Sequence, residues 1–119
     1  MIDILEKVVK VLDEKSATEI NVINVGSVSA IADYFIIATG NNPRHMHALV
    51  DYAEDAFAQV SMHAIRKEGF KSEDWVLLDY GDIMVHIFSQ ETRNRYKLDK
   101  IWADAKNVEL SIDFDKYSR

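Results

Sequence analysis

Cysteine is missing altogether from this 119-residue chain, which excludes disulfide scaffolds, thiolate zinc sites and cysteine nucleophiles. Nothing argues for an oxidising compartment, and the expected setting is a reducing cytoplasm. No stretch approaches the ~18 uncharged apolar residues that a membrane-crossing helix needs. The opening Met1-Ile2-Asp3-Ile4-Leu5-Glu6-Lys7 also puts charges where a secretory signal carries its apolar run. Neither secretion nor membrane insertion is expected. Basic charge is in deficit, with fourteen Lys and Arg against twenty Asp and Glu and a net charge of -6. That balance opposes attraction to phosphate backbones and anionic lipids, so little direct nucleic-acid contact is expected. A protein partner would be a basic one, although an acidic balance also serves plain solubility.

Catalytic signatures are lacking too. There is no Gly-x-x-x-x-Gly-Lys-Ser/Thr, no Gly-x-Gly-x-x-Gly after a strand and no Gly-x-Ser-x-Gly. His45 and His47 stand two apart on an expected helix, where side chains diverge and cannot grip one metal ion. His63 and His86 have no obvious partners, and His86 reads as a sheet histidine. Gly26-Ser27 followed by Asp33-Tyr34-Phe35 faintly suggests a nucleotidyltransferase, whose two-metal chemistry needs carboxylates two residues apart on one strand face. The second position here is Phe35, and the correctly spaced Asp113-Phe114-Asp115 lies near the chain end, where acids are usually just solvated. No enzyme activity, cofactor or metal is expected.

Proline occurs once, repeats and low-complexity stretches not at all. What remains is a single domain of interleaved helices and strands. Leu5, Val8, Val9 and Leu12 recur at helical spacing and predict an amphipathic helix over residues 2–15. Ile20 to Val25 reads as a strand, and the run Asp33 to Gly40 as a second one buried on both faces. Asn41-Asn42-Pro43 is an N-cap with proline in the first turn, starting a helix whose apolar stripe is Met46, Leu49, Val50, Ala53, Phe57 and Val60. Ala64 to Lys67 suggests a short strand. Trp75 to Leu78 and Ile83 to Phe88 are the clearest strands, and Ser89 caps a helix reaching Arg95. Leu98 to Ala103 predicts a further short turn or helix, and Val108, Leu110, Ile112 and Phe114 alternate like an edge strand. The fold class is α/β, a layered α+β domain with a mixed sheet flanked by helices.

With Tyr80 and Gly81 as the central turn residues, Asp79 would face Asp82 and Trp75 would face His86. One face of the pair then holds Val76, Leu78, Ile83, Val85 and Ile87, all aliphatic and plainly core. The other holds Trp75, Leu77, Met84, His86 and Phe88, with Asp79 and Asp82 at the turn end. An apolar, aromatic, acid-edged face has the composition of a protein interface. The competing reading is that helices cover both faces and Trp75 and Phe88 are core. Two facing carboxylates would be costly in a dry site, so the turn end is expected to be wet. Arg93, Asn94, Arg95, Tyr96 and Lys97 follow as a basic and aromatic set; it either complements a helix dipole or extends the same surface.

The run from Trp75 to Phe88, Trp-Val-Leu-Leu-Asp-Tyr-Gly-Asp-Ile-Met-Val-His-Ile-Phe, closely resembles the signature of the ribosomal silencing factor family, RsfS, also called Iojap-like or YbeB. Ala32 to Gly40, Arg44-His45 with Ala48, and Tyr96 to Ala105 agree with it in order. The resemblance places an RsfS-like domain at residues 1–106 and leaves 107–119 as a tail without a matching motif. It implies a nucleotidyltransferase-like fold without the catalytic acids, consistent with Phe35. It also implies a homodimer when free, and binding to the large ribosomal subunit at its protein L-fourteen, which blocks the small subunit and represses translation. Carried over by motif, the implied contact residues are Trp75, Leu77, Asp79, Tyr80, Tyr96 and Lys97. Asp33, Arg44 and His45 match family motifs without an assigned role. Asn42-Pro43 replaces small hydroxyl residues usual before the arginine, and Met84 replaces a common valine.

Overall fold

A computed structural model describes residues 2–26, 30, 32–71, 74–96 and 106–107. The first helix, α1 (Ile2–Glu14), buries Leu5, Val8, Val9 and Leu12, the stripe its spacing predicts, together with Ile4 and Asp13. It ends when Ser16 turns to a φ of 69°. There Ala17 N–H donates to the Leu12 carbonyl at 3.0 Å and Ser16 N–H to that of Asp13 at 2.9 Å, a Schellman closure with serine where glycine is usual.

Strand β1 (Thr18–Asn24) then runs antiparallel to β2 (Tyr34–Gly40), with a bulge between Thr18 and Asn21. Helix α2 (Pro43–Ala58) begins as the sequence predicts: Asn42 Oδ1 accepts from His45 N–H and Pro43 sits in the first turn. Gly40 lets it start so close to β2, because a Cβ there would lie 2.7 Å from Met46 Cγ and 3.1 Å from its backbone nitrogen. The helix stops two residues short of Val60, which is 46% exposed. Ser61, at a φ of 60°, closes it with the Schellman bonds Ser61 N–H to Ala58 and Met62 N–H to Phe57.

The remaining strands are β3 (Arg66–Glu68), β4 (Trp75–Asp79) and β5 (Ile83–Ser89), followed by helix α3 (Gln90–Tyr96) and a two-residue strand β6 (Lys106–Asn107). They form one six-stranded sheet in the order β3-β4-β5-β2-β1-β6. Among the described residues only β2 and β5 pair in parallel, Ile37 beside His86 and Thr39 beside Phe88; the other ladders are antiparallel. The mixed α/β sheet expected from the sequence is therefore present. The expected elements at Leu98 to Ala103 and from Val108 onward lie outside the described residues.

Helices α1 and α2 pack on one sheet face. Their stripes meet Ile36, Ala38, Val76, Leu78, Ile83, Val85 and Ile87 in the larger core. Full burial of each valine, leucine or isoleucine side chain among them contributes about 1.5–3 kcal/mol relative to exposure. On the other face a smaller core joins Ile23, Val25, Ala32, Phe35, Ile37, Met84 and Phe88, with Leu77 packed against it.

The β4–β5 register differs from the expected one by two residues. Trp75 pairs with Phe88, Leu77 with His86 and Asp79 with Met84, while Tyr80 N–H donates to the Ile83 carbonyl at 2.9 Å. The central turn residues are therefore Gly81 and Asp82. Gly81 takes a φ of 87° in the place where a type II′ hairpin puts glycine. The cause is Tyr80, whose ring stacks on Phe57 with centroids 3.8 Å apart, so that it extends the strand pair instead of forming its turn. A slip of two residues keeps every side chain on its face, so the assignment of faces holds. Asp79 and Asp82 do not oppose each other.

Candidate functional site

The mixed face of the β4–β5 pair is mostly core. Met84, His86 and Phe88 are at most 4% exposed, whereas Trp75 is 40% exposed and Leu77 is partly so. Exposure is thus concentrated on β4. Asp79, its carboxylate 18% exposed, accepts from Gly81 N–H at 2.8 Å and pairs with Arg66 at 3.4 Å. It holds the turn as well as edging the surface.

Trp75 stands beside a groove of about 520 Å3 lined by Glu68, Gly69, Asp74, Leu77, Thr92 and Arg95. Gly69 makes this junction possible: its φ is 72°, and a Cβ would come within 2.2 Å of the Trp75 carbonyl. The other wall comes from α3, which Ser89 caps by accepting from Thr92 N–H at 3.1 Å. The groove therefore joins the end of β3, the start of β4 and α3, three segments that no single periodicity links. Alternation alone could find Trp75 and Leu77 but not Glu68, Asp74, Thr92 or Arg95.

Beneath the rim, Trp75 Nε1–H donates to His86 Nδ1 at 3.1 Å. Indole is a donor only, so His86 must offer a bare Nδ1 and carry its proton on Nε2. Burial favours that neutral form, pushing the imidazole down from 6.5 to about 4.

Tyr80 falls elsewhere. It is 8% exposed, lies in the core under α2, and has its phenol pushed up to about 12 by burial and by the nearby Glu54 carboxylate. Its ring, stacked on Phe57, supports the hairpin. Tyr96 closes α3, while its side chain and all of Lys97 lie outside the described residues. Arg93, grouped by sequence with these as surface charge, is 3% exposed. Its guanidinium donates to the Glu19 carbonyl and to Thr39 Oγ1 at 3.0 Å, and pairs with the Glu19 carboxylate at 3.2 Å. It ties α3 to the bulge of β1, where Glu19 has a φ of 49°.

The motif residues without an assigned role separate in the same way. His45 joins two helices: its Nδ1 accepts from Asn41 N–H and its Nε2 meets the Lys15 carbonyl at the end of α1, both at 2.8 Å. Its neighbour His47 stacks instead on Phe70, centroids 5.1 Å apart, so the two histidines diverge as their spacing predicts. Arg44 and Asp33 are exposed. The Asp33 backbone is held by the hairpin turn, its N–H and that of Tyr34 both donating to the Asp82 carbonyl. Phe35, in the slot where a nucleotidyltransferase carries its second acid, is buried edge-on against His86 at 4.5 Å. Among the described residues no three His, Asp or Glu side chains gather as metal ligands, and no helix is long and apolar enough to cross a membrane.

A family model described as "Ribosomal silencing factor during starvation", RsfS, matches residues 1–118. A ribosomal silencing factor RsfS from Halalkalibacterium halodurans is 34% identical over 108 residues, covering 91% of this chain and 92% of its own. A Mus musculus protein named "Mitochondrial assembly of ribosomal large subunit protein 1" is 32% identical over 101 residues, covering 82% of this chain and 44% of its own. A crystal structure from Bacillus halodurans superposes with a TM-score of 0.77 at 30% identity, covering 91% of this chain and 98% of that one. Sequence motif, fold and relatives converge: this chain belongs to the ribosomal silencing factor (RsfS) family.

Proposed function

We propose that this protein represses translation by binding the large ribosomal subunit through ribosomal protein L-fourteen, with β4 as the docking strand, so that its bulk obstructs the small subunit. The observation that carries the reading is Trp75, 40% exposed beside a groove on a sheet face whose neighbours Met84, His86 and Phe88 are buried. Leu77 continues the apolar surface and Asp79 edges it with acid. Tyr96, the last residue of α3, and Lys97, which follows it, belong to the same contact. A net charge of -6 suits a basic ribosomal protein and disfavours bare RNA. The name of the mouse relative points the same way, to a large subunit. Steric obstruction needs no catalytic group. The protein acts in the cytoplasm, as a homodimer when free.

Purified protein is expected to co-sediment with large subunits and to slow their joining with small ones. Trp75→Ala with Leu77→Ala is expected to abolish both effects while leaving the circular-dichroism spectrum folded. Pelleting with small subunits only, or with neither, sinks the reading; unchanged binding by the folded double variant moves the surface away from β4.

A further inference from the structure

We propose that His86 is a positioning residue for docking, its Nδ1 fixing the Trp75 indole at the rim of the groove before a partner arrives; this rests on the reading of β4 as the docking strand. In the β4–β5 ladder Trp75 lies opposite Phe88, and His86 lies opposite Leu77. Trp75 and His86 are thus a diagonal pair, a separation that large aromatic side chains can span. The indole N–H reaches Nδ1 at 3.1 Å, and the indole ring leans on Phe88 with centroids 5.0 Å apart and planes at 43°.

The imidazole is itself immobilised. It is 4% exposed, meets Phe35 edge-on at 4.5 Å and lies parallel to Phe88 within 6°. A solvent-facing tryptophan is therefore bonded to a ring locked in the core. Immobilising a free side chain on binding costs about 0.5–1.5 kcal/mol, and an aromatic oriented in advance avoids much of that cost.

The test uses the full chain with purified large subunits. His86→Phe keeps a ring and removes the acceptor; His86→Asn keeps an acceptor near the Nδ1 position. His86→Phe is expected to weaken co-sedimentation roughly two- to tenfold and His86→Asn to restore part of it. Trp75→Phe lacks the N–H and is expected to bind at least as weakly as His86→Phe. Adding His86→Phe to it is then expected to cost no further affinity. In nitrogen-15 spectra of the free protein, the Trp75 indole N–H is expected to exchange with solvent roughly fivefold faster in His86→Phe than in wild type.

Wild-type affinity in folded His86→Phe overturns the inference, as does an undiminished effect of His86→Phe in the Trp75→Phe background, which would mean that His86 acts through the fold. Should His86→Phe not fold, wild-type affinity in Trp75→Phe overturns it equally. If wild-type protein binds no large subunit, the docking reading itself falls, an outcome distinct from binding that is indifferent to His86.

Discussion

His86 gives the fold an acid sensitivity whose size and direction follow from its surroundings. In the unfolded chain its imidazole titrates near 6.5, whereas burial lowers that to about 4 in the folded state. The folded protein therefore resists taking up a proton that the unfolded chain accepts. Above pH 6.5 both states are neutral and the full stability is present. Between 6.5 and 4 the unfolded state holds more protons, so stability falls as pH falls; below 4 both are protonated and the loss levels off. A difference of about 2.5 units, at 1.36 kcal/mol each, makes the loss about 3 kcal/mol, a large share of the 5–15 kcal/mol typical of a domain. Urea unfolding of wild type and His86→Phe at intervals from pH 8 to 4.5 isolates this contribution, because all other titrating groups are common to both. Loss of the Trp75–His86 hydrogen bond adds a cost to the variant. The stability difference between the two is expected to shrink in favour of the variant as pH drops, most steeply below 6. A difference that stays flat across the range would refute the reasoning.

Two further outcomes follow from the backbone. Arg93→Met removes the donors that satisfy the Glu19 carbonyl and Thr39 Oγ1 and is expected to lower stability by about 3 kcal/mol; a urea midpoint shift equivalent to less than 1 kcal/mol would show that the bulge satisfies itself. Ser61→Gly relieves a φ of 60° at the end of α2 and is expected to raise stability by about 0.5–1 kcal/mol, read as a higher thermal midpoint, with a fall counting against the strain argument.

Local patterns were legible in the sequence where local physics decides the outcome. The α1 stripe, the Asn42-Pro43 start of α2, the Ser89 cap and the two faces of the β4–β5 pair all depend on residues a few positions apart. The turn was not legible, because its position depends on Tyr80 finding Phe57, a contact between elements. Arg93 was misjudged for a related reason: the acceptors that draw it inward are created by a bulge in β1, far away in the chain. The groove beside Trp75 was hidden because it has three owners. The family motif marked His45 without saying what it does, and His45 holds the frame by joining two helices; Tyr80, which the resemblance placed at the contact, also supports the hairpin through Phe57.

The pairing of β3 with β4 determines what kind of partner the docking strand can accept. Arg66, Lys67 and Glu68 occupy the outer side of β4 from Leu77 to Asp79, and all three are exposed. A visiting chain finds that stretch of main chain already engaged and a charged margin beyond it, so it cannot pair with β4 there as another strand. Recognition along this stretch must therefore be written in side chains alone. Such an interface is editable one residue at a time, and it can drift with its partner through single substitutions while the sheet beneath it stays the same.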